Sequence, residues 1–213
     1  MKRIALSQRQ ALVAECNETR DCIDQAWYTL CKQHDCLPTL ILNDLELLAS
    51  LLEGRPFDGI ILTGGNTLVK YGGDAPVRDR VEKQLMQYAT ENSIPVLGVC
   101  RGMQFINDFF GGTLRPCGNH TATAHPLLPL NSGRVIPYDP NLVVNSFHDM
   151  CIDQLASELS IIYESKDGVA EAIEHKHLPI AGIMWHPERE NAAPDAFMRT
   201  ILGELFSSQT RAT

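Results

Sequence analysis

Four short β-rich apolar runs, RIALSQ (3–8), LPTLIL (37–42), FDGIILTGG (57–65) and IPVLGVC (94–100), punctuate the first half of the chain. Residues 19–35, 43–53, 76–91 and 101–110 carry helix-like patterning between and after them. This alternation predicts an α/β fold, a flavodoxin-like open, mostly parallel sheet with right-handed crossovers and helices on both faces. Asn43 or Asp44 is positioned to cap the second helix. Asp74 with Pro76 marks the start of the third, because the fixed φ of proline suits a first helical turn.

After Gly111-Gly112 the texture changes, and residues 113–141, rich in Pro, Gly and Asn, are expected to form loops and short strands attached to the domain. Strand-like runs follow at 142–148, 159–165, 169–175 and 179–186, and a helix near 192–207 closes the chain. No internal repeat or heptad run divides the 213 residues, of which 44% are hydrophobic, so one domain spanning 1–213 is expected.

The formal net charge of −8, with acidic residues spread along the chain, leaves no basic patch for nucleic acid. In MKRIALSQRQ the apolar run stops at Leu6, which is too short for a signal-peptide core, and no segment is long enough to span a bilayer. A cytoplasmic location without membrane partners is expected. Seven cysteines are an odd count, and Cys16, Cys22, Cys31 and Cys36 show neither CxxC pairs nor zinc-ligand spacing, which fits free thiols in a reducing compartment.

Gly98-Val99-Cys100-Arg101-Gly102 has the pattern of a nucleophile elbow, with cysteine where many hydrolases carry serine. A nucleophile on a sharp strand-to-helix turn leaves almost no room for side chains two before and two after it, and Gly98 and Gly102 meet that demand. The helix opening at Arg101 aims its free N–H groups at the sulfur, favouring the thiolate. The Arg101 N–H can also stabilise the oxyanion of an attacked carbonyl. Most free cysteines instead pack as small buried hydrophobes, and on this pattern alone both readings stand.

A thiol nucleophile needs a base, and the base needs a group to orient it. IMWHPE supplies both: the residue before a proline is extended, so His186 continues its strand, and Glu188 two residues on projects to the same side. Ligands of open parallel sheets bind outside the carboxyl ends of the strands, where Cys100, His186 and Gly64-Gly65 all fall. The TGG turn at Gly64 and Gly65 offers further N–H donors to an oxyanion.

GVCRGMQ, WHPE and DGIILTGGN resemble the nucleophile, His-Glu and oxyanion-strand motifs of the class I glutamine amidotransferase superfamily. YGGDAPVRDRVEKQLMQYA, GMQFINDFFGGTL and VVNSFH resemble its γ-glutamyl hydrolase branch, which is Peptidase C26-like. The resemblance covers about residues 3 to 190. It implies a cofactor-free Cys100, His186, Glu188 triad that cleaves a small-molecule γ-glutamyl amide through a thioester. It also implies that Gln104 and the backbone of Asn145, Ser146 and Phe147 line the glutamyl pocket. The N-terminal stretch ALSQR…NETRDCIDQAW resembles the γ-glutamyl-CDP-amidate hydrolases of capsule phosphoramidate synthesis, which implies a nucleotide-linked substrate.

Arg9, leaving the first strand, together with Arg20 and Arg101 could then pair a diphosphate. For Arg20, just inside the expected first helix beside Asp21 and Asp24, an ordinary ion pair is the better reading. Asp149 in NSFHDM stands where the hydrolase branch often has a second histidine, which bears on the amine-side contacts. His120, His125, His175 and His177 have no carboxylate or cysteine set at ligand spacing, so no metal is expected, and His120 or His125 is placed at the substrate mouth.

Other readings remain: a γ-glutamyl-polyamine or γ-aminobutyrate hydrolase, a glutaminase subunit feeding ammonia to a synthetase, or a non-enzymatic redox sensor using Cys100. A sensor has no need of the His186 and Glu188 pair. The leaving amine and the oligomeric state are not written in the sequence.

Overall fold

The computed structural model describes residues 1–54 and 56–207. The first half contains β1 (Lys2–Ser7), β2 (Arg9–Val13), β3 (Glu18–Cys22), α1 (Ala26–Gln33), β4 (Cys36–Ile41), α2 (Leu45–Leu52), β5 (Gly59–Leu62), α3 (Pro76–Asn92), β6 (Val96–Val99) and α4 (Arg101–Phe109). Then come β7 (Thr113–Pro116), β8 (Thr121–Pro129), β9 (Val143–Phe147), β10 (Met150–Gln154), β11 (Leu159–Ser165), β12 (Ala170–His175), β13 (Ile180–Ile183) and α5 (Asp195–Leu205). A nine-stranded sheet has the order β4-β1-β5-β6-β13-β12-β11-β8-β9. The first five strands are parallel, and the remaining four extend the sheet antiparallel.

The alternation within each central strand explains why both faces are covered. Ile4 and Leu6 of β1, Ile61 of β5 and Leu97 and Val99 of β6 enter one core, closed by Trp27 and Leu30 of α1 and Ile201 and Leu205 of α5. Their neighbours Ala5, Ile60, Leu62 and Val96 enter a second core on the other face, with Leu48 of α2, Leu85 of α3 and Met103 of α4. Successive strand residues point to opposite faces, so a continuously apolar strand demands a helix layer on each side. Asp44 caps α2, its Oδ1 accepting from the N–H groups of Glu46 at 3.0 Å and Leu47 at 2.9 Å. Pro76 occupies the first turn of α3, where Ala75 rather than Asp74 is the cap residue.

Three expectations change. The helix expected over 19–35 begins only at Ala26, because residues 18–22 pair with β2 as an antiparallel ribbon. ETRDC has no apolar stripe for a helix to bury, and Arg20 on this ribbon is exposed and bonded to Glu18 at 2.6 and 2.8 Å. The segment 113–141 contributes the nine-residue β8, a member of the main sheet. Its mainly exposed side chains give it no apolar alternation to read. Finally, β13 ends at Ile183, so His186 lies in the turn beyond its strand. Among the described residues no helix is long and apolar enough to cross a membrane.

Candidate functional site

Cys100 sits between β6 and α4 at φ 52° and ψ −106°. This left-handed φ in a non-glycine residue costs about 1–3 kcal/mol and persists only where the surroundings over-determine it. They do so here: the Cys100 N–H donates to the Ile183 carbonyl at 2.8 Å, and its carbonyl accepts from the Gln104 N–H at 3.1 Å. Crowding accounts for the flanking glycines. A Cβ on Gly98 would lie 2.6 Å from the Gly102 carbonyl, and one on Gly102 would lie 2.1 Å from the Leu62 oxygen.

The His186 ring is fixed from several sides. Its Nδ1 lies 2.7 Å from Glu188 Oε1, which leaves Nε2 free to engage the sulfur of Cys100. Burial disfavours a charged ring, but hydrogen bonding to Cys100 and Glu188 outweighs it and lifts the His186 pKa to about 9. The Asn145 side chain clamps the backbone here. Its Oδ1 accepts from the His186 N–H at 2.8 Å, and its Nδ2 donates to the His186 and Glu190 carbonyls, each at 3.0 Å. The Phe147 ring meets the imidazole edge-on at 5.8 Å between centroids, and the Arg189 guanidinium stacks on Phe147 at 4.6 Å.

Gly64 and Gly65 follow β5 and face this pair: a Cβ on Gly64 would come within 2.7 Å of His186 Cε1 and 3.6 Å of the Cys100 Cβ. The turn's carbonyls are held away from the cleft by Arg78 of α3. Arg78 donates to the carbonyls of Thr63 at 2.7 Å, Gly64 at 3.1 Å and Gly65. Arg78 is fully buried and bonded to Glu82 at 2.9 Å, and Glu82 in turn pairs with the Arg101 side chain. Burial pulls the Arg78 pKa down to about 10, which leaves it charged at neutral pH. Burial pushes Glu82 up, but Arg101 and Arg78 outweigh it and keep the carboxylate ionised. On the other side of the turn, Asn66 and the Gln10 backbone exchange two hydrogen bonds of 2.9 Å.

A cleft opens over this edge of the sheet, lined by Arg9, Asp24, Thr63, Gly64, Gly65, His186, Glu188 and Arg189 among others. The structure thus brings Cys100, His186, Glu188, Gly64, Gly65 and Arg9 together. Arg101 contributes its backbone at the start of α4, but its side chain is 1% exposed and committed to Asp79 and Glu82, so it cannot pair a diphosphate.

Gln104 is buried one turn into α4, donating to the Met150 carbonyl at 3.0 Å, and the Ser146 hydroxyl donates to the His120 carbonyl at 2.7 Å. His120 and His125 turn to Glu171 instead of the substrate mouth, because β8 joins the sheet beside β9 and β11. His175 caps its own turn, its Nδ1 accepting from the N–H groups of His177 and Leu178.

Sequence reasoning missed the side-chain clamp of Asn145 and the role of Arg78. The only local signal was an Arg78/Glu82 pair at i, i+4 in an otherwise ordinary helix.

Residues 4–188 match the model of the Peptidase C26 family. The chain is 33% identical over 211 residues to the gamma-glutamyl-CDP-amidate hydrolase of Campylobacter jejuni, covering 96% of this chain and 97% of that one. A glutamine amidotransferase from Thermotoga maritima shares the fold with a TM-score of 0.71 at 13% identity, over 97% of this chain and 99% of the other. A glutamine amidotransferase from Methylobacillus flagellatus does so at 0.64 and 14%, over 89% and 71%. An elbow cysteine, a carboxylate-oriented histidine and a Gly-Gly turn at one edge of this sheet are the equipment of amide-bond hydrolysis, and the chain belongs to the Peptidase C26 family of hydrolases.

Proposed function

We propose that this protein hydrolyses a γ-glutamyl amide of a small molecule through a thioester on Cys100. The observation that carries the reading is the Cys100 elbow facing a histidine whose Nδ1 is held by Glu188 at 2.7 Å. His186 Nε2 holds the proton it shares with the thiol, and the sulfur attacks the γ-carbonyl carbon. The resulting oxyanion meets the N–H groups of Arg101 and the Gly64-Gly65 turn, and one such donor is worth about 3–4 kcal/mol. As the C–N bond breaks, His186 returns the proton to the leaving nitrogen. Water then attacks the thioester and gives a proton to His186. The C–S bond breaks, glutamate leaves, and the proton stays on His186, shared again with the sulfur. Glu188 holds the imidazole in the tautomer this cycle needs.

The substrate we infer is γ-glutamyl-CDP-amidate, cleaved to glutamate and cytidine diphosphoramidate by the whole chain acting as one hydrolase unit. Two observations support this: the full-length likeness to a hydrolase of that name, and two arginines, Arg9 and Arg189, lining the cleft where bidentate pairing could take up phosphate oxygens. Gln104, Asn145, Ser146 and Phe147 would act on the glutamyl side, the first two by shaping the site from behind. The test is product analysis by mass spectrometry over a panel of γ-glutamyl amides containing the CDP conjugate, a polyamine conjugate and glutamine. The CDP conjugate is expected to have the highest kcat/KM, and Cys100→Ser to abolish turnover of every member. Preference for the polyamine conjugate would overturn the substrate, and so would glutamine turnover that appears only with an added synthetase. Undiminished hydrolysis by Cys100→Ser would overturn the mechanism.

A further inference from the structure

Away from the cleft, three histidines converge on one buried carboxylate. Glu171 of β12 is 0% exposed, and its Oε1 lies 3.3 Å from His120 Nδ1, 3.4 Å from His125 Nε2 and 3.4 Å from His148 Nε2. The rings crowd each other: His120 is 4.9 Å from His125 and 4.7 Å from His148 between centroids. The four residues come from the approach to β8, from β8 itself, from the β9–β10 turn and from β12, so only the folded sheet assembles them.

Hydrogen bonding does not account for this cluster. His148 Nδ1 lies 3.1 Å from the Met150 carbonyl, which can only accept, so that nitrogen carries the ring proton and Nε2 turns a lone pair toward Glu171. His120 Nε2 lies 3.1 Å from Asp167 Oδ2. His120 Nδ1 faces the same Glu171 oxygen at 3.3 Å. All three facing nitrogens and both Glu171 oxygens are buried without a hydrogen-bond partner. Buried polar atoms are satisfied in nearly all native proteins, and five such atoms around one point are a set that a shared cation would satisfy.

The spacing identifies the class of that centre. Ligand atoms about 2.0–2.1 Å from a tetrahedral zinc ion stand about 3.3–3.4 Å apart, which matches the three nitrogen–oxygen separations. The ligand atoms of His120, His148 and Glu171 all lie within 4.8 Å of one another. The outer contacts also fit. Ligating histidines usually give their second N–H to a carboxylate or backbone carbonyl, which Asp167 and Met150 supply.

We propose that His120 Nδ1, His148 Nε2 and Glu171 form a structural site for a divalent transition cation of the zinc class, with His125 Nε2 beside them 3.4 Å from the same carboxylate oxygen. None of these residues lines the catalytic cleft, so the ion joins the approach to β8, the β9–β10 turn and β12 rather than taking part in hydrolysis. The site touches the catalytic edge through shared partners. The Met150 carbonyl that receives His148 also receives Gln104 of α4, and Phe147, next to His148, packs on the His186 ring.

The test uses the intact chain, stripped with chelator, dialysed and titrated with zinc alone against a chromophoric competitor. One tightly held equivalent per chain is expected, falling to none in Glu171→Gln and in His148→Ala and unchanged in His175→Ala. Cobalt in place of zinc should give the intense visible bands of a tetrahedral nitrogen–oxygen site. No uptake by the wild type would overturn the proposal, as would an equivalent retained by both variants. If neither variant folds, the wild-type cobalt spectrum decides: weak octahedral bands, or the charge transfer of cobalt on cysteine thiolate, would overturn it equally.

Discussion

At the scale of single residues the site is set by steric exclusion. Gly64 has no Cβ where one would stand 2.7 Å from His186 Cε1, an atom in a ring already held by Glu188 and by packing against Phe147. Gly64→Ala is therefore expected to move the imidazole more than the fold. A displacement of about 1 Å in a reacting group can lower kcat about 100-fold, so steady-state kinetics should show that loss while thermal unfolding stays near wild type. Gly102→Ala should behave differently, because its Cβ would stand 2.1 Å from the backbone oxygen of Leu62. Forcing extra volume there is expected to destabilise the protein by about 1–3 kcal/mol or more, measurable by denaturant titration. These glycines, Cys100 and the His186/Glu188 pair were legible because each motif is contiguous in sequence. The Asn145 clamp was not, because it joins residues 41 apart and an asparagine in a strand carries no local sign of its partner.

At the scale of elements, α3 turns charged residues inward. Arg78 and Glu82 are each 0% exposed, and the network they form with Arg101 holds the first turn of α4 and the carbonyls after β5 in fixed relation. Removing one member of a buried charged network typically costs about 3–5 kcal/mol, since it leaves its partner uncompensated. Arg78→Met is expected to lose that much stability, and Arg78→Lys to recover part of it without restoring kcat, because an ammonium cannot reach three carbonyls and Glu82 together. Unfolding and single-turnover measurements on the two variants would check this, and a wild-type kcat in both would refute the positioning role. Elements with apolar alternation or a clear cap, such as β1, β5, β6, α2 and α3, were readable in the sequence. The β2–β3 ribbon and β8 were not, because their burial patterns are dominated by exposed positions and their pairing is decided by neighbours distant in the chain.

At the scale of the whole molecule, the parallel half of the sheet followed from strand–helix alternation, whereas the antiparallel extension and the histidines it gathers required knowledge of which strands become neighbours. The same assembly makes stability depend on pH, and His186 gives the clearest sign. Its folded pKa, raised from 6.5 to about 9, exceeds that of the unfolded chain, so the folded state binds the proton more tightly. The stabilisation is complete below about pH 6.5 and is lost as pH rises through about 9; it amounts to at most about 3 kcal/mol. Glu82 acts in the opposite direction: its depressed pKa contributes stability above the ordinary carboxylate range that disappears on acidification. Comparing wild type with His186→Ala cancels Glu82 and the other titrating groups common to both. Urea unfolding of the two proteins between pH 6 and 9.5 should therefore show a stability difference that is largest near pH 6 and shrinks steadily toward pH 9.5. A difference that is constant across that range, or that grows with pH, would mean that His186 does not hold its proton in the folded state at neutral pH, and the ring would then face Cys100 as a neutral base from the outset.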